Sequence, residues 1–150
     1  MRYALSALAL LAACTPPAPM AQPEPVTLAS PLAPSAVVQT AAQVLAAKGF
    51  TLTTSDAAGG IIVAARPVVK GTSSDWFACR WGPDAFGSKI TTGSLTVTVT
   101  ARPATAGSAV MIVGTAHSVA HLDGLPDTPD KDCVSNGKTE RAIASAVSVR

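Results

Sequence analysis

The segment Ser94-Leu-Thr-Val-Thr-Val-Thr-Ala-Arg102 alternates strictly between polar and aliphatic side chains. A period of two is typical of a β-strand that buries one face and exposes the other. Residues 103–107 follow with proline and glycine, which favour a turn, and residues 109–119 return as a second strand. The sequence therefore predicts a β-hairpin over residues 94–119.

Upstream of this hairpin, residues 35–48 have the spacing of an amphipathic helix. Ser35 is a typical N-cap residue, and Gly49 is predicted to end the helix as a C′ residue, with Phe50 packing back. The apolar stripe at i, i+4, i+7 and i+8 consists of Val37, Ala41, Val44 and Leu45. This helix is the first expected element of the domain.

Two further strands and a second helix complete the prediction. Residues 50–54 alternate and residues 61–65 are apolar, with Pro67 ending the second of these strands. A last helix opens at Ser135 or Asn136, and its apolar side carries Ala142, Ile143, Ala146 and Val147. The order α-β-β-β-β-α with short links predicts an α+β domain, in which two helices cover one face of a four-stranded, largely antiparallel sheet.

Length and composition limit the chain to one small core. The 150 residues leave room for a single domain. Hydrophobic residues make up 48% of the chain but aromatic residues only 4%, so we expect a core of small and aliphatic side chains.

The N-terminal residues have the layout of a secretory signal. Arg2 supplies a positive charge, residues 4–11 form an apolar run, and Ala12 and Ala13 are small residues before Cys14. The run is too short for a bilayer crossing, which needs roughly 20 apolar residues. We therefore expect residues 1–13 to be a cleaved signal peptide.

Leu11-Ala12-Ala13-Cys14 resembles the lipobox of bacterial lipoproteins, in which an aliphatic residue and two small residues precede a cysteine. The resemblance implies cleavage before Cys14, attachment of a diacylglyceryl group to its sulfur, and N-acylation of the new terminus, for example with palmitate. Two or more acyl chains hold a protein stably on a membrane, whereas a single chain binds only marginally.

The same resemblance bears on location. Thr15, in place of an aspartate after the cysteine, favours sorting to the outer membrane, facing the periplasm, in a host that has two membranes. The alternative is an ordinary secretory signal that leaves Cys14 as a free thiol.

Residues 14–34 form the expected tether between the anchor and a domain at residues 35–150. They hold seven of the twelve prolines, a composition typical of extended polyproline II at about 3.1 Å per residue. Such a spacer reaches at most roughly 60 Å. A proline-rich ligand for a partner domain is the alternative interpretation.

The charge balance argues against a nucleic-acid partner. Loss of Arg2 with the signal leaves ten basic residues against nine acidic ones, and the basic residues are scattered singly along the chain. Recognition of DNA or RNA needs lysine and arginine clustered on one face.

With Cys14 committed to lipid, Cys79 and Cys133 remain as an even pair. In an exported protein such a pair is a disulfide by default. The bridge would close a loop of some 54 residues, which the chain-entropy model values at about 4 kcal/mol. The alternatives are a metal site with His117 and His121, which matches no zinc spacing, and redox catalysis, which lacks a Cys-x-x-Cys motif.

The segment around Cys79 holds Arg80 and four of the five aromatic residues of the mature chain: Trp76, Phe77, Trp81 and Phe86. Two interpretations compete. The aromatic side chains form a satellite core over one end of the sheet, or they form an exposed patch with the composition of an interface hot spot. All four, together with Arg80, are therefore candidate binding residues.

No motif predicts catalysis, a cofactor or a metal. A Gly-x-Ser-x-Gly elbow is missing, and Gly59-Gly60 lacks the strand-loop-helix context of a phosphate loop. His117 and His121 are four residues apart, which in a strand is about 13 Å and too far for shared ligation. The carboxylates of residues 123–132 could bind calcium, but their spacing is not that of an EF-hand and fits turns equally well.

We therefore expect a lipid-anchored cell-envelope module that binds or scaffolds other envelope components through its sheet edge or its aromatic loop, without catalytic activity. Its partners would be the membrane, through acylated Cys14, and an envelope protein. The alternative is a periplasmic lipoprotein that binds a small ligand or metal ion through the loops at residues 75–87 and 123–132.

Overall fold

The computed structural model describes residues 23–68, 76–79, 89–121, 128–130 and 133–148. Within these ranges the chain forms an α+β structure, which confirms the predicted class. The elements in chain order are β1 (Val26–Ser30), α1 (Pro34–Ala47), β2 (Thr51–Asp56), β3 (Ile61–Val68), β4 (Phe77–Cys79), β5 (Lys89–Ala104), β6 (Gly107–His121), β7 (Thr128–Asp130), β8 (Cys133–Ser135) and α2 (Lys138–Ser148).

One antiparallel sheet dominates the described residues. Its strand order is β1-β6-β5-β3-β2, and β7 pairs with β6 as well. The short strands β4 and β8 pair only with each other, as a separate two-stranded ribbon. The predicted four-stranded sheet is therefore wrong in strand number, although its antiparallel arrangement is confirmed.

The predicted hairpin is the centre of this sheet. Strands β5 and β6 pair over nearly their whole length and turn at Ala104–Gly107. The alternation predicted for β5 is confirmed. Its aliphatic side chains are buried while the polar residues between them are not, and the buried ones are Leu95, Val97, Val99 and Ala101.

The predicted element order is wrong at its start, because β1 precedes the first helix. β1 lies inside residues 14–34, which were expected to be tether, so the domain begins before residue 35. Val26 and Leu28 face the core, and β1 pairs with the outer edge of β6. The Ser108 hydroxyl donates a hydrogen bond of 2.6 Å to the Leu32 carbonyl just beyond β1. Pairing with a distant strand therefore orders a segment whose prolines suggested a spacer.

Helix α1 ends as predicted but begins differently. Ala33 is the N-cap residue, without a side-chain cap, and Pro34 occupies the first turn, so the predicted cap at Ser35 is wrong. Proline is suited to this position because its missing N–H would have no helical partner. At the other end, Gly49 has φ 75° and the Phe50 N–H donates to the Leu45 carbonyl at 3.0 Å. This is the Schellman arrangement that ends many helices.

Strand β3 continues past its predicted end at Pro67. Pro67 pairs with Ser94 of β5, whereas β2 pairs with β3 only as far as Ala65. Pro67 has no N–H to donate, and β2 does not extend far enough along β3 to require a hydrogen bond from it.

Both helices pack on the same side of the sheet. Val37 and Leu45 of α1, Ile143 and Val147 of α2, and the inward side chains of β3, β5 and β6 form one hydrophobic core. This placement agrees with the predicted helix faces. It leaves the other side of the sheet without a helix in the described part of the chain.

Helix α2 begins close to the predicted start. Its first residue is Lys138, whose N–H bonds to the Asn136 side-chain oxygen at 3.0 Å. The Ser135 hydroxyl accepts a hydrogen bond of 3.2 Å from the Gly137 N–H. Ser135 and Asn136 therefore both stabilise the entry into the helix.

Candidate functional site

The predicted site residues fall into three groups. Cys14, Arg80, Trp81 and Phe86 lie outside the described residues. Phe77 and Cys79 lie in β4, where only the backbone is described. Trp76 and Cys133 are described with their side chains.

Trp76 packs at the carboxyl end of α1. Its ring meets Phe50 edge to face, with centroids 5.9 Å apart, and the Arg66 guanidinium lies 4.2 Å from the ring centroid. The Lys48 ammonium is 5.8 Å from the same ring, and Arg66 donates a hydrogen bond to the Lys48 carbonyl at the helix end. Trp76 is partly buried against the core, which is the position that the satellite-core interpretation predicts for it.

The two remaining cysteines lie opposite each other. The register of the β4–β8 ribbon pairs the Cα atoms of Cys79 and Cys133. Directly opposed residues in antiparallel strands have Cα atoms about 4.5 to 5.5 Å apart, within the range that a disulfide requires. Cys133 is 1% exposed.

The candidate metal ligands considered from the sequence are only partly described. His117 and His121 lie in β6, a strand, as expected. Of the acidic segment at residues 123–132, the described part is Thr128–Asp130, which forms β7. Among the described residues, no three histidine, cysteine, aspartate or glutamate side chains come together as a metal site.

A second surface is the side of the main sheet away from the helices, which we call the open face. In the described ranges, the helices and the core lie on the opposite side. By strand register, its outward residues are Thr27 and Ala29 of β1, Ala109, Met111, Val113, Thr115 and His117 of β6, Ser94, Thr96, Thr98, Thr100 and Arg102 of β5, Ile61, Val63, Ala65 and Pro67 of β3, and Thr51, Thr54 and Asp56 of β2.

The composition of the open face is unusual for a solvent-facing sheet. Of its outward residues just named, only Arg102 and Asp56 are lysine, arginine, aspartate or glutamate, and both lie toward the end of the sheet that bears the β5–β6 turn. The rest are chiefly threonine, valine and alanine, and Ile61 and Met111 are 38% and 42% exposed. An outward face normally carries charged residues, which keep sheets apart. The sequence pattern predicts that this face points outward, but not that both described helices lie on the other side.

A hollow of about 440 Å³ lies at the charged end of the open face. The space exists because three of its lining side chains are small: Ala29, Ala104 and Ala109. Larger side chains border it, namely Thr100, Arg102 and Met111. Its volume is within the range of small-molecule sites, about 300 to 1,000 Å³. Sequence reasoning missed it because it joins residues of three strands.

A buried carboxylate lies on the helix side of the sheet. Glu140 is 2% exposed, and one of its oxygens accepts a hydrogen bond from the Ser135 hydroxyl at 2.5 Å. Its other oxygen and the Thr139 hydroxyl are buried without a hydrogen-bond partner among the described residues. Gly114 of β6 provides the space, because a Cβ atom there would lie 1.9 Å from the bonded Glu140 oxygen.

The sequence carried one signal of this contact. A glycine within a strand often marks the close approach of another group, and Gly114 is such a residue. Ser135 also begins a Ser-x-x-Lys sequence, but its hydroxyl is buried against Glu140 whereas Lys138 is exposed. This arrangement joins α2 to the sheet and offers no exposed nucleophile at Ser135.

The sequence matches no protein-family model, and no curated protein is significantly similar to it. Neither helix in the described part of the chain is long and apolar enough to cross a membrane.

Proposed function

We propose that this protein is a lipid-anchored module of the cell envelope, which binds or scaffolds other envelope components through the open face and performs no catalysis. The observation that supports the proposal is the side of the main sheet that no described helix covers and that carries charge only toward one end, at Arg102 and Asp56. A partner can bury the aliphatic and threonine side chains on this side without transferring a charged group from water into the interface.

The open face has the properties that binding requires. Its central residues, Thr98, Val63 and Val113, lie side by side on three neighbouring strands. Their β-branched side chains have few rotamers, so little conformational entropy is lost when a partner packs on them. The sheet is held from behind by the core, which keeps the face rigid.

Anchoring through Cys14 would hold this face near the membrane. Because β1 begins at Val26, the spacer after Cys14 is limited to residues 15–25. At about 3.1 Å per residue, these eleven residues reach at most roughly 35 Å. A partner in the envelope, at the periplasmic side of an outer membrane, is therefore within the range of the domain.

We assign Cys79 as the disulfide partner of Cys133. The opposed register of the two residues supports this pairing, and an exported protein provides the oxidising conditions. The bridge would clamp the ribbon that packs beside Trp76 and would close the intervening chain, including the remaining aromatic residues.

The proposal is tested by capture of partners from crosslinked membranes. The full-length chain is compared with Thr98→Lys, which places a charge at the centre of the open face, and with Gln43→Lys, which places the same charge on exposed α1. We expect Thr98→Lys to abolish a stoichiometric crosslink that Gln43→Lys retains. Equal crosslinking by both variants would show that the open face is not the binding surface.

A second candidate function rests on the hollow. Its apolar lining and the guanidinium of Arg102 suit a small ligand that has one negative charge and a short aliphatic part. Octanoate is a suitable probe, and the midpoint temperature of unfolding is the measurement. A rise with octanoate that Arg102→Gln removes would favour the ligand binder, whereas no rise would leave the scaffold as the better proposal.

A further inference from the structure

We infer that the open face is covered by a second copy of this chain, packed face to face about a twofold axis. The inference rests on the proposed function and names the partner at the same surface. Two sheets that pack in this way lie about 10 Å apart, and the side chains of their facing sides interdigitate.

The centre of the open face suits such packing. Thr98, Val63 and Val113 are uncharged and half-buried already, so their burial costs little desolvation. Depletion of charge at the centre of a patch is the composition that distinguishes interface cores from ordinary surface.

The two charges of the open face select the second copy as the occupant. Arg102 lies on β5 and Asp56 on β2, two strands apart, which is about 10 Å across the sheet. A twofold axis that lies between the facing sheets can place the Arg102 position of one copy opposite the Asp56 position of the other. Arg102 of each copy can then meet Asp56 of the other, and the same ion pair forms twice.

A foreign partner has no such built-in match. It would need an acidic and a basic group in the reverse arrangement, whereas a second copy has them by symmetry. Anchored copies also share one membrane, which raises their effective concentration toward each other. Charge complementarity and tethering therefore favour the same occupant.

The first experiment is photo-crosslinking of the full-length, anchored chain in membranes. A benzophenone amino acid replaces Thr98 at the centre of the open face, and the matched control carries it at Gln43 on exposed α1. Two epitope tags on co-expressed copies identify a product that contains both. We expect a crosslinked pair of copies from position 98 and none from position 43.

The second experiment reverses the charges in the chain that carries the probe at position 98. Arg102→Glu or Asp56→Arg alone should lower the yield of crosslinked pairs about tenfold, because two exposed ion pairs become like-charge contacts. The double reversal should restore the yield to within about threefold of the parent, since the pairs form again with opposite sense.

One control separates the charge of Asp56 from its local role. The Asp56 carboxylate accepts a hydrogen bond of 2.8 Å from the Gly59 N–H in the β2–β3 turn. Asp56→Asn keeps an acceptor oxygen and removes the charge, so it should lower the yield less than Asp56→Arg. The circular dichroism spectrum of each variant establishes that it has folded.

The outcomes distinguish this inference from the proposed function. A probe at position 98 that crosslinks only to a different envelope protein overturns the second copy and supports the general binding module. A probe that reaches no protein at all overturns both. A pair of copies whose yield does not recover in the double reversal overturns the proposed geometry of Arg102 and Asp56.

Discussion

Replacement of Gly114 by alanine should destabilise the domain by about 3 kcal/mol. The new Cβ atom would lie 1.9 Å from the bonded Glu140 oxygen and 2.9 Å from the Ser135 hydroxyl oxygen. Neither group can move into solvent, because Glu140 is 2% and Ser135 4% exposed. The backbone of Gly114 is not in the left-handed region, so the effect comes from the clash alone.

The magnitude follows from two contributions. Overpacking of a well-packed site costs about 1 to 3 kcal/mol, and loss of a hydrogen bond to a charged group costs about 1.5 to 3 kcal/mol when the carboxylate is displaced from Ser135. The two overlap, since movement of Glu140 that relieves the clash also breaks the hydrogen bond. We therefore expect about 3 kcal/mol, in the lower part of the summed range of about 2.5 to 6 kcal/mol.

The assay is a double-mutant cycle measured by urea unfolding without reductant. Glu140→Ala removes the group with which the new methyl collides, so the pair Gly114→Ala and Glu140→Ala should be more stable than additivity predicts by about 2 kcal/mol. Glu140→Gln is the matched control, because it keeps the shape of the side chain and should give little such rescue. Additive free energies in the alanine cycle would refute the proposed contact between α2 and β6.

Three further predictions concern the anchor, the disulfide and the aromatic cluster. Cys14→Ser should leave the chain soluble or unprocessed and without palmitate label; a variant that stays membrane-bound and labelled would contradict the anchor. Mass spectrometry without reductant should find Cys79 joined to Cys133, and their replacement by alanine should lower the free energy of unfolding by about 4 kcal/mol; free thiols in the native protein would exclude the bridge. Trp76→Ala should cost about 2 kcal/mol through lost packing and cation–π contacts, measured by thermal unfolding, whereas a cost near zero would place Trp76 outside the core.

Both the strengths and the failures of sequence reasoning can be traced to particular residues. The alternation of Leu95 to Ala101 and the helix end at Gly49 were predicted correctly, because both depend on neighbouring residues only. Strand β1 was missed because the prolines around Val26–Ser30 suggested a spacer. Those five residues become a strand when the outer edge of β6 offers them partners.

The candidate site was less accessible to prediction than the fold. Trp76 and the two cysteines were identified by composition and parity, which are properties of the chain itself. The open face needed knowledge of which strands are neighbours, since Arg102 and Asp56 share a surface only after β3 lies between β5 and β2. Likewise, Gly114 and Glu140 are 26 positions apart in the chain, and their fit exists only once α2 packs on β6.

Periodicity and turn residues were enough to assign the hairpin, both helices and the inward side of β5, whereas the bulge between Leu52 and Thr54 breaks the alternation predicted for β2. These features arise from the geometry of short segments, in which side-chain direction repeats every two or every 3.6 residues. Which strand occupies each edge, which face the helices cover and where a carboxylate is buried depend on contacts between segments far apart in the chain. Those contacts form only when the whole chain lowers its free energy together, so no local pattern records them.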